Sequence, residues 1–146
     1  MMYALFLRRI VMDNCVFCKI VRGEIPSYKI YEDDDTLAFL DISKDIDGHT
    51  LVIPKKHFTN VTDIDSDTLS KVILTAQKVA NHYVKDCGYD GFNILNANNE
   101  SAGQTVFHLH FHIIPRKNND NEDAWPKFGG AKKELGVTHQ ELTMVK

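Results

Sequence analysis

The stretch Val106-Phe107-His108-Leu109-His110-Phe111-His112-Ile113-Ile114 decides how this chain is read. Its apolar and polar side chains alternate with a period of two, the pattern of a strand with two unlike faces. A strand over 106–114 puts His108, His110 and His112 on one face and Leu109, Phe111 and Ile113 on the other. The apolar face requires burial against another element, and the other face then carries three imidazoles with β-carbons about 6–7 Å apart. A lone His is usually a solvated or satisfied side chain, but three at this period read as a site. Two chemistries fit: a three-His metal centre, or an imidazole nucleophile, neutral near pH 7, that attacks phosphorus or an acyl carbon. Just upstream, Ser101-Ala102-Gly103-Gln104-Thr105 offers backbone N–H groups and two side-chain donors to an anion.

Outward from this stretch the pattern predicts short strands over 28–31, 36–40, 50–53 and 92–95, bounded by turn residues. Leu69, Val72, Ile73, Ala76, Val79, Ala80, Tyr83 and Val84 follow helical spacing, which predicts one long helix over 66–86 stopped by Gly88. Strands interrupted by a single long helix imply an α+β class with an antiparallel sheet rather than a βαβ array.

The 146 residues are 43% hydrophobic and 25% charged, which fits one globular domain. Seventeen Lys and Arg against 20 Asp and Glu leave a charge of −3, without the basic excess of a nucleic-acid binder. No apolar run reaches the length of a membrane span, and Met1 to Val11 lacks the order of a secretory signal, so a cytoplasmic protein is expected. Residues 1–11 read as an extension ahead of the first structured segment. Cys15 and Cys18 form a C-x-x-C, and Cys87, read as a small buried hydrophobe, makes the count odd. In a reducing compartment the close pair reads as metal-binding, redox-active or inert. The redox reading expects a βαβ context that is lacking here. A tetrahedral zinc would need two further ligands, and spacing does not choose them among seven His.

Gly103 to Arg116 resembles the signature of the histidine triad (HIT) family, H-x-H-x-H followed by two apolar residues. The likeness extends to Cys15-Val16-Phe17-Cys18-Lys19-Ile20, to Leu37 through Ser43, and to Gly48 through His57, covering about residues 14–116. The resemblance implies a HIT-like fold of about five antiparallel strands with one long helix and a short N-terminal helix. It divides the chain into an N-terminal extension (1–13), a nucleotide-binding domain (14–117) and a tail (118–146) that packs on the domain or on a dimer partner. It implies a homodimer that binds a purine nucleotide, in which His110 attacks the α-phosphate and water hydrolyses the nucleotidyl-histidine. In that scheme His112 contacts the phosphate and helps its proton traffic, and His49 orients the nucleophile from behind. Gly103, Gln104 and Thr105 face the phosphate or leaving group, and Asp41 holds the ribose hydroxyls. Ile42, Phe17, Ile20 and Phe39 line the base pocket, and Asn96 is the pocket amide, with Asn98 as the alternative. The family's C-x-x-C members imply a structural zinc held by Cys15, Cys18, His57 and His108. The activity implied is hydrolysis of nucleoside phosphoramidates; hydrolysis of dinucleoside polyphosphates and a nucleotide-binding scaffold are the alternatives. Thr105 stands where part of the family has Ser, and Trp125 in the tail is a candidate contact across a dimer.

Overall fold

The computed structural model describes residues 2–146, and the side chains of all of these except 6–11. The extension expected over 1–13 thus lies partly outside the described residues; its backbone is helical as α1, Met2–Asn14. A six-residue helix, α2 (Val16–Val21), follows at once. It is too short to hold itself together in water. Its stability comes from burying Phe17 and Ile20, about 1.5–3 kcal/mol each, and from the Cys15 sulfur, which accepts the Cys18 N–H at its N-terminus.

Five strands form one antiparallel sheet in the order β1-β2-β3-β5-β4: β1 Lys29–Glu32, β2 Thr36–Leu40, β3 Thr50–Pro54, β4 Gly91–Leu95 and β5 Phe111–Arg116. The long helix α3, Ser66–Asp86, lies between β3 and β4. Asp65 caps it by accepting the Thr68 N–H, and Asp67 and Lys85 suit the two ends of its dipole. Its buried stripe of Val72, Ala76, Val79, Ala80 and Tyr83 packs on Ala38, Val52 and Ile113 of the sheet, while Ile73 falls outside the stripe and is exposed. Two buried hydroxyl pairs, Thr36 with Thr75 at 2.7 Å and Thr50 with Tyr83 at 2.6 Å, fasten the helix to β2 and β3.

The opposite face of the sheet is also covered. Leu37 and Phe39 of β2 and Leu51 and Ile53 of β3 pack on Phe17 and Ile20 of α2. The fold is therefore α+β, a five-stranded antiparallel sheet with one long helix on one face and a short N-terminal helix on the other. Among the described residues no helix is long and apolar enough to cross a membrane.

Two expectations are corrected. The strand predicted over 106–114 begins only at Phe111 and runs through Pro115 to Arg116. Upstream, the ladder is replaced by irregular bonds: the Leu109 N–H donates to the Phe58 carbonyl, and the His110 carbonyl accepts from the Asn96 side chain. Pro115 is tolerated because β3 pairs with β5 only as far as Ile113, so no ladder bond is asked of its missing N–H on that side. Cys87 is exposed rather than buried, because it follows the last turn of α3 with its sulfur 3.5 Å from His82 Nε2. The tail adds a small helix, α4 (Leu135–Leu142), with no buried residue, and Trp125 is 69% exposed.

Gly48 opens β3 opposite Pro115. Its φ of +81° suits glycine, and a Cβ there would lie 2.9 Å from the Pro115 Cγ. Gly48→Ala should cost about 1–3 kcal/mol of stability, measured as a shift in the urea midpoint.

Candidate active site and metal cluster

His108 is fully buried. Its Nε2–H donates to the Pro54 carbonyl at 2.8 Å, which turns Nδ1 toward Cys15 Sγ at 3.4 Å and Cys18 Sγ at 3.5 Å. His57 meets Cys18 Sγ through Nδ1 at 3.3 Å, and its buried Nε2 has no partner among the described residues. One proton on or near His108 Nδ1 cannot serve two sulfurs at once, whereas a cation at the centre serves all four donors. The N···S separations are close to the ~3.6 Å edge of a tetrahedron with zinc–sulfur and zinc–nitrogen bonds of about 2.3 and 2.1 Å. All four donor atoms lie within 4.8 Å of one another. Burial pushes the Cys15 thiol up, but hydrogen bonding, led by His108, outweighs it and brings the pKa down to about 5, favouring the thiolate that binds metal. Burial, followed by the neighbouring Cys15 sulfur, pushes Cys18 up to about 12. The Pro54 carbonyl on the far nitrogen of His108 is the outer partner that a metal-bound imidazole characteristically has.

The His108 carbonyl accepts the Nδ1–H of His110 at 2.8 Å. That bond fixes the tautomer, so the lone pair of His110 sits on Nε2. Burial lowers the pKa of this ring below 6.5, which keeps it neutral near pH 7. Phe17 stands edge-on to it, with centroids 5.3 Å apart, and also meets His108 at 5.8 Å. The α2 helix therefore positions the imidazole row as well as covering the sheet.

His112 lies beside His110, with ring centroids 4.9 Å apart. The structure puts His49 on His112, Nε2 to Nδ1 at 2.8 Å, and not behind His110, whose Nδ1 is already taken by a carbonyl. The other nitrogen of His49 donates to the Asp45 carboxylate at 2.8 and 3.1 Å. Asp41 Oδ2 is 3.7 Å from His49 Nε2, too far for a hydrogen bond, while Asp41 Oδ1 accepts from the Ser43 N–H.

His49, His112 and Asp45 border a cavity of about 480 Å³ whose walls also include Ile46, Leu95 and Asn96. Several residues assigned to the nucleotide by resemblance do not line this cavity. Phe17, Ile20 and Phe39 are core, and Ile42 is 82% exposed and outside the cavity lining. Gln104 is buried with its amide fully engaged: Nε2 donates to the carbonyls of Thr59 and Val106, and Oε1 accepts from Asn60 and from the Asn99 N–H. It braces its own loop and has no donor left for a phosphate. Gly103, at φ +86°, closes the preceding 3₁₀ turn, and Thr105 lines a separate hollow with Cys15 and His57. Asn96 does line the cavity, and its amide also holds the His110 carbonyl at 2.9 Å, while Asn98 donates to Asn96 and accepts from the Val61 N–H.

Asp45 and Ile46 were absent from the sequence-derived site. A carboxylate four residues before His49 was the available signal for the first, and the second had none. The Pro54 carbonyl, a backbone group, also left no trace in the residue types.

Burial, followed by the neighbouring His110 and His49, lowers the His112 pKa to about 4. In the unfolded chain it returns to about 6.5, so the unfolded state binds more protons between those values. Stability from this group is complete above about pH 6.5 and is lost as the pH falls toward 4. The drop in melting temperature between pH 7 and pH 4.5 should therefore be smaller in His112→Asn than in the unaltered protein.

The model of the HIT domain matches residues 22–119. Protein hit of Bacillus subtilis is 50% identical over 104 residues, 71% of this chain and 72% of its own. The adenosine 5′-monophosphoramidase of Saccharomyces cerevisiae is 38% identical over 130 residues, 88% of this chain and 80% of its own. Among solved structures, a zinc-bound histidine triad family protein from Mycobacterium smegmatis superposes with a TM-score of 0.72 at 40% identity, covering 77% of this chain and 82% of that one. With the imidazole row, the sheet and the Cys-His cluster in place, these likenesses establish that the chain belongs to the HIT family.

Proposed function

We propose that this protein hydrolyses purine nucleoside phosphoramidates through a nucleotide carried covalently on His110. The observation that carries the reading is the His110–His108 carbonyl bond, which leaves an unprotonated Nε2 on a neutral ring whose neighbour, His112, lines the cavity. That nitrogen attacks the α-phosphorus, a P–N bond to His110 forms as the P–N bond to the amine breaks, and water then displaces His110 to give the nucleoside monophosphate. One P–N bond replaces another, so the barrier lies mainly in positioning and charge stabilisation. His112, on the cavity side, exchanges the protons. Asn96 steadies the His110 backbone. Asp41, at the mouth of the His49 loop, remains the proposed partner of the ribose hydroxyls, and the homodimer implied by the resemblance is part of the same proposal.

Asp45, Glu122 and Asp123 line the cavity, and among the described residues no Lys or Arg does. An acidic wall favours an amine leaving group over the anionic second half of a dinucleoside polyphosphate. The yeast relative's name, adenosine 5′-monophosphoramidase, agrees with this choice.

Cys15, Cys18, His57 and His108 are proposed to hold one zinc, and their donor set and spacing fit it. When bound, zinc supplies structure, tying α2 to the start of the imidazole row. About one zinc per chain is expected in purified protein by elemental analysis, and Cys18→Ser should lower both metal content and melting temperature.

The functional test is AMP release from adenosine 5′-phosphoramidate by the unaltered protein, by His110→Gly and after chelation. Turnover that vanishes in the variant, with AMP affinity largely kept, and that survives chelation at a temperature where the fold persists, is the expected result. Binding of AMP without any turnover in the unaltered protein would refute the hydrolase reading and leave a nucleotide-binding scaffold.

A further inference from the structure

Asp45 lies outside the set of residues that the resemblance supplies. Building on the phosphoramidase reading, we infer that Asp45 is a positioning residue for the reaction: its carboxylate locks His49, and through it His112, into a proton relay beside the nucleophile.

Both Asp45 oxygens reach His49 Nδ1, at 2.8 and 3.1 Å. The carboxylate is itself fixed, because Oδ1 also accepts from the Ser43 hydroxyl at 3.0 Å and from the Ile46 N–H at 2.9 Å. A carboxylate only accepts, so His49 carries its proton on Nδ1 and turns the Nε2 lone pair to the Nδ1–H of His112 at 2.8 Å. His112 is thereby held with Nε2 as its remaining nitrogen. Asp41, the other carboxylate nearby, makes no hydrogen bond to either ring.

An Asp–His pair four residues apart is often no more than a surface contact, worth little in water. The chain contains such a contact for comparison. His82 and Asp86 meet at the same 2.8 Å, but both are exposed, and the second nitrogen of His82 meets only the exposed Cys87. The His49 ring, in contrast, is buried and its second nitrogen is spent on a ring of the active site. Burial of one end with solvent at the other is the arrangement that transmits an orientation.

The relay also gives the reaction's protons a route. When the anionic substrate binds, His112 takes up a proton from solvent on Nε2; in the first half-reaction the His110 Nε2–P bond forms, the P–N bond to the amine breaks, and the leaving nitrogen takes that proton. In the second, the water oxygen bonds phosphorus, the His110–P bond breaks, and the water proton returns to His112. While the pair holds the extra proton, its charge is shared between His112 and His49 and balanced by Asp45. The titratable groups facing His112 are His110, His49, Asp41 and Asp45, and both carboxylates favour its protonated form.

The test uses Asp45→Ala, Asp45→Asn and Asp45→Glu in the full chain, with AMP release from adenosine 5′-phosphoramidate followed across pH and with ring-nitrogen NMR of the histidines. Because Asp45 is 54% exposed and acts only through His49, the expected loss in kcat for Asp45→Ala is about tenfold, below the roughly 10²–10⁴-fold of a group that transfers the proton itself, with KM nearly unchanged. Asp45→Glu should recover part of it. The variants without the charge should titrate His112 at lower pH, and Asp45→Ala should lose the fixed Nδ1–H tautomer of His49. An Asp45→Ala protein with unaltered kcat and pH profile would overturn the inference. The NMR arm decides independently of turnover: a His49 tautomer unchanged by Asp45→Ala overturns the role of Asp45, whereas an unaltered protein that releases no AMP overturns the phosphoramidase reading.

Discussion

A buried imidazole with every polar atom committed holds this molecule together. His108 donates Nε2–H to Pro54 at the end of β3, turns Nδ1 to two sulfurs at the start of α2, and lends its carbonyl to His110. Each bond constrains a different part: the first seats the imidazole row on the sheet, the second seats α2 over it, and the third sets which nitrogen of His110 bears the lone pair. An uncompensated buried polar group costs roughly 1–3 kcal/mol, so the ring cannot turn without losing one of these partners. The geometry of the proposed nucleophile therefore depends on the same residue as the Cys-His cluster.

This constraint explains why the imidazole face is covered rather than solvated. Phe17 closes over His108 and His110 from α2, and burial keeps His110, and with it His112, neutral in the free protein where unburied rings would begin to protonate. A nucleophile requires that neutral form. The apolar packing of α2 and the reactivity of the row are consequences of one placement. His112 differs from His110 in having a further imidazole on Nδ1 instead of a carbonyl, which suits one ring to attack and the other to exchange protons.

Much of the fold was legible in side-chain periodicity. The α3 helix and β2 fall where spacing put them, because propensity, capping by Asp65 and burial all favour the same boundaries. The β5 strand starts late because tertiary bonds from Phe58 and Asn96 replaced the ladder that alternation implied. Cys15, Cys18, His57 and His108, the ligand set that the resemblance implied, are brought together. The pocket was less legible. Gln104 has the right chemistry for a phosphate, but its environment consumes its amide, and Ile42 is apolar yet faces solvent beyond β2. Residue type records what a side chain can do, and only the packed structure records which partner reaches it first.

The central claim is that His110 Nε2 becomes bonded to phosphorus. Mixing the protein with excess adenosine 5′-phosphoramidate, quenching within milliseconds in base, where a P–N bond to histidine survives, and mapping the peptides by mass spectrometry tests it directly. The account predicts an adenylyl group on His110 within the peptide spanning the imidazole row. An adduct on His108 or His112, or rapid turnover with no adduct at any time point, would contradict it.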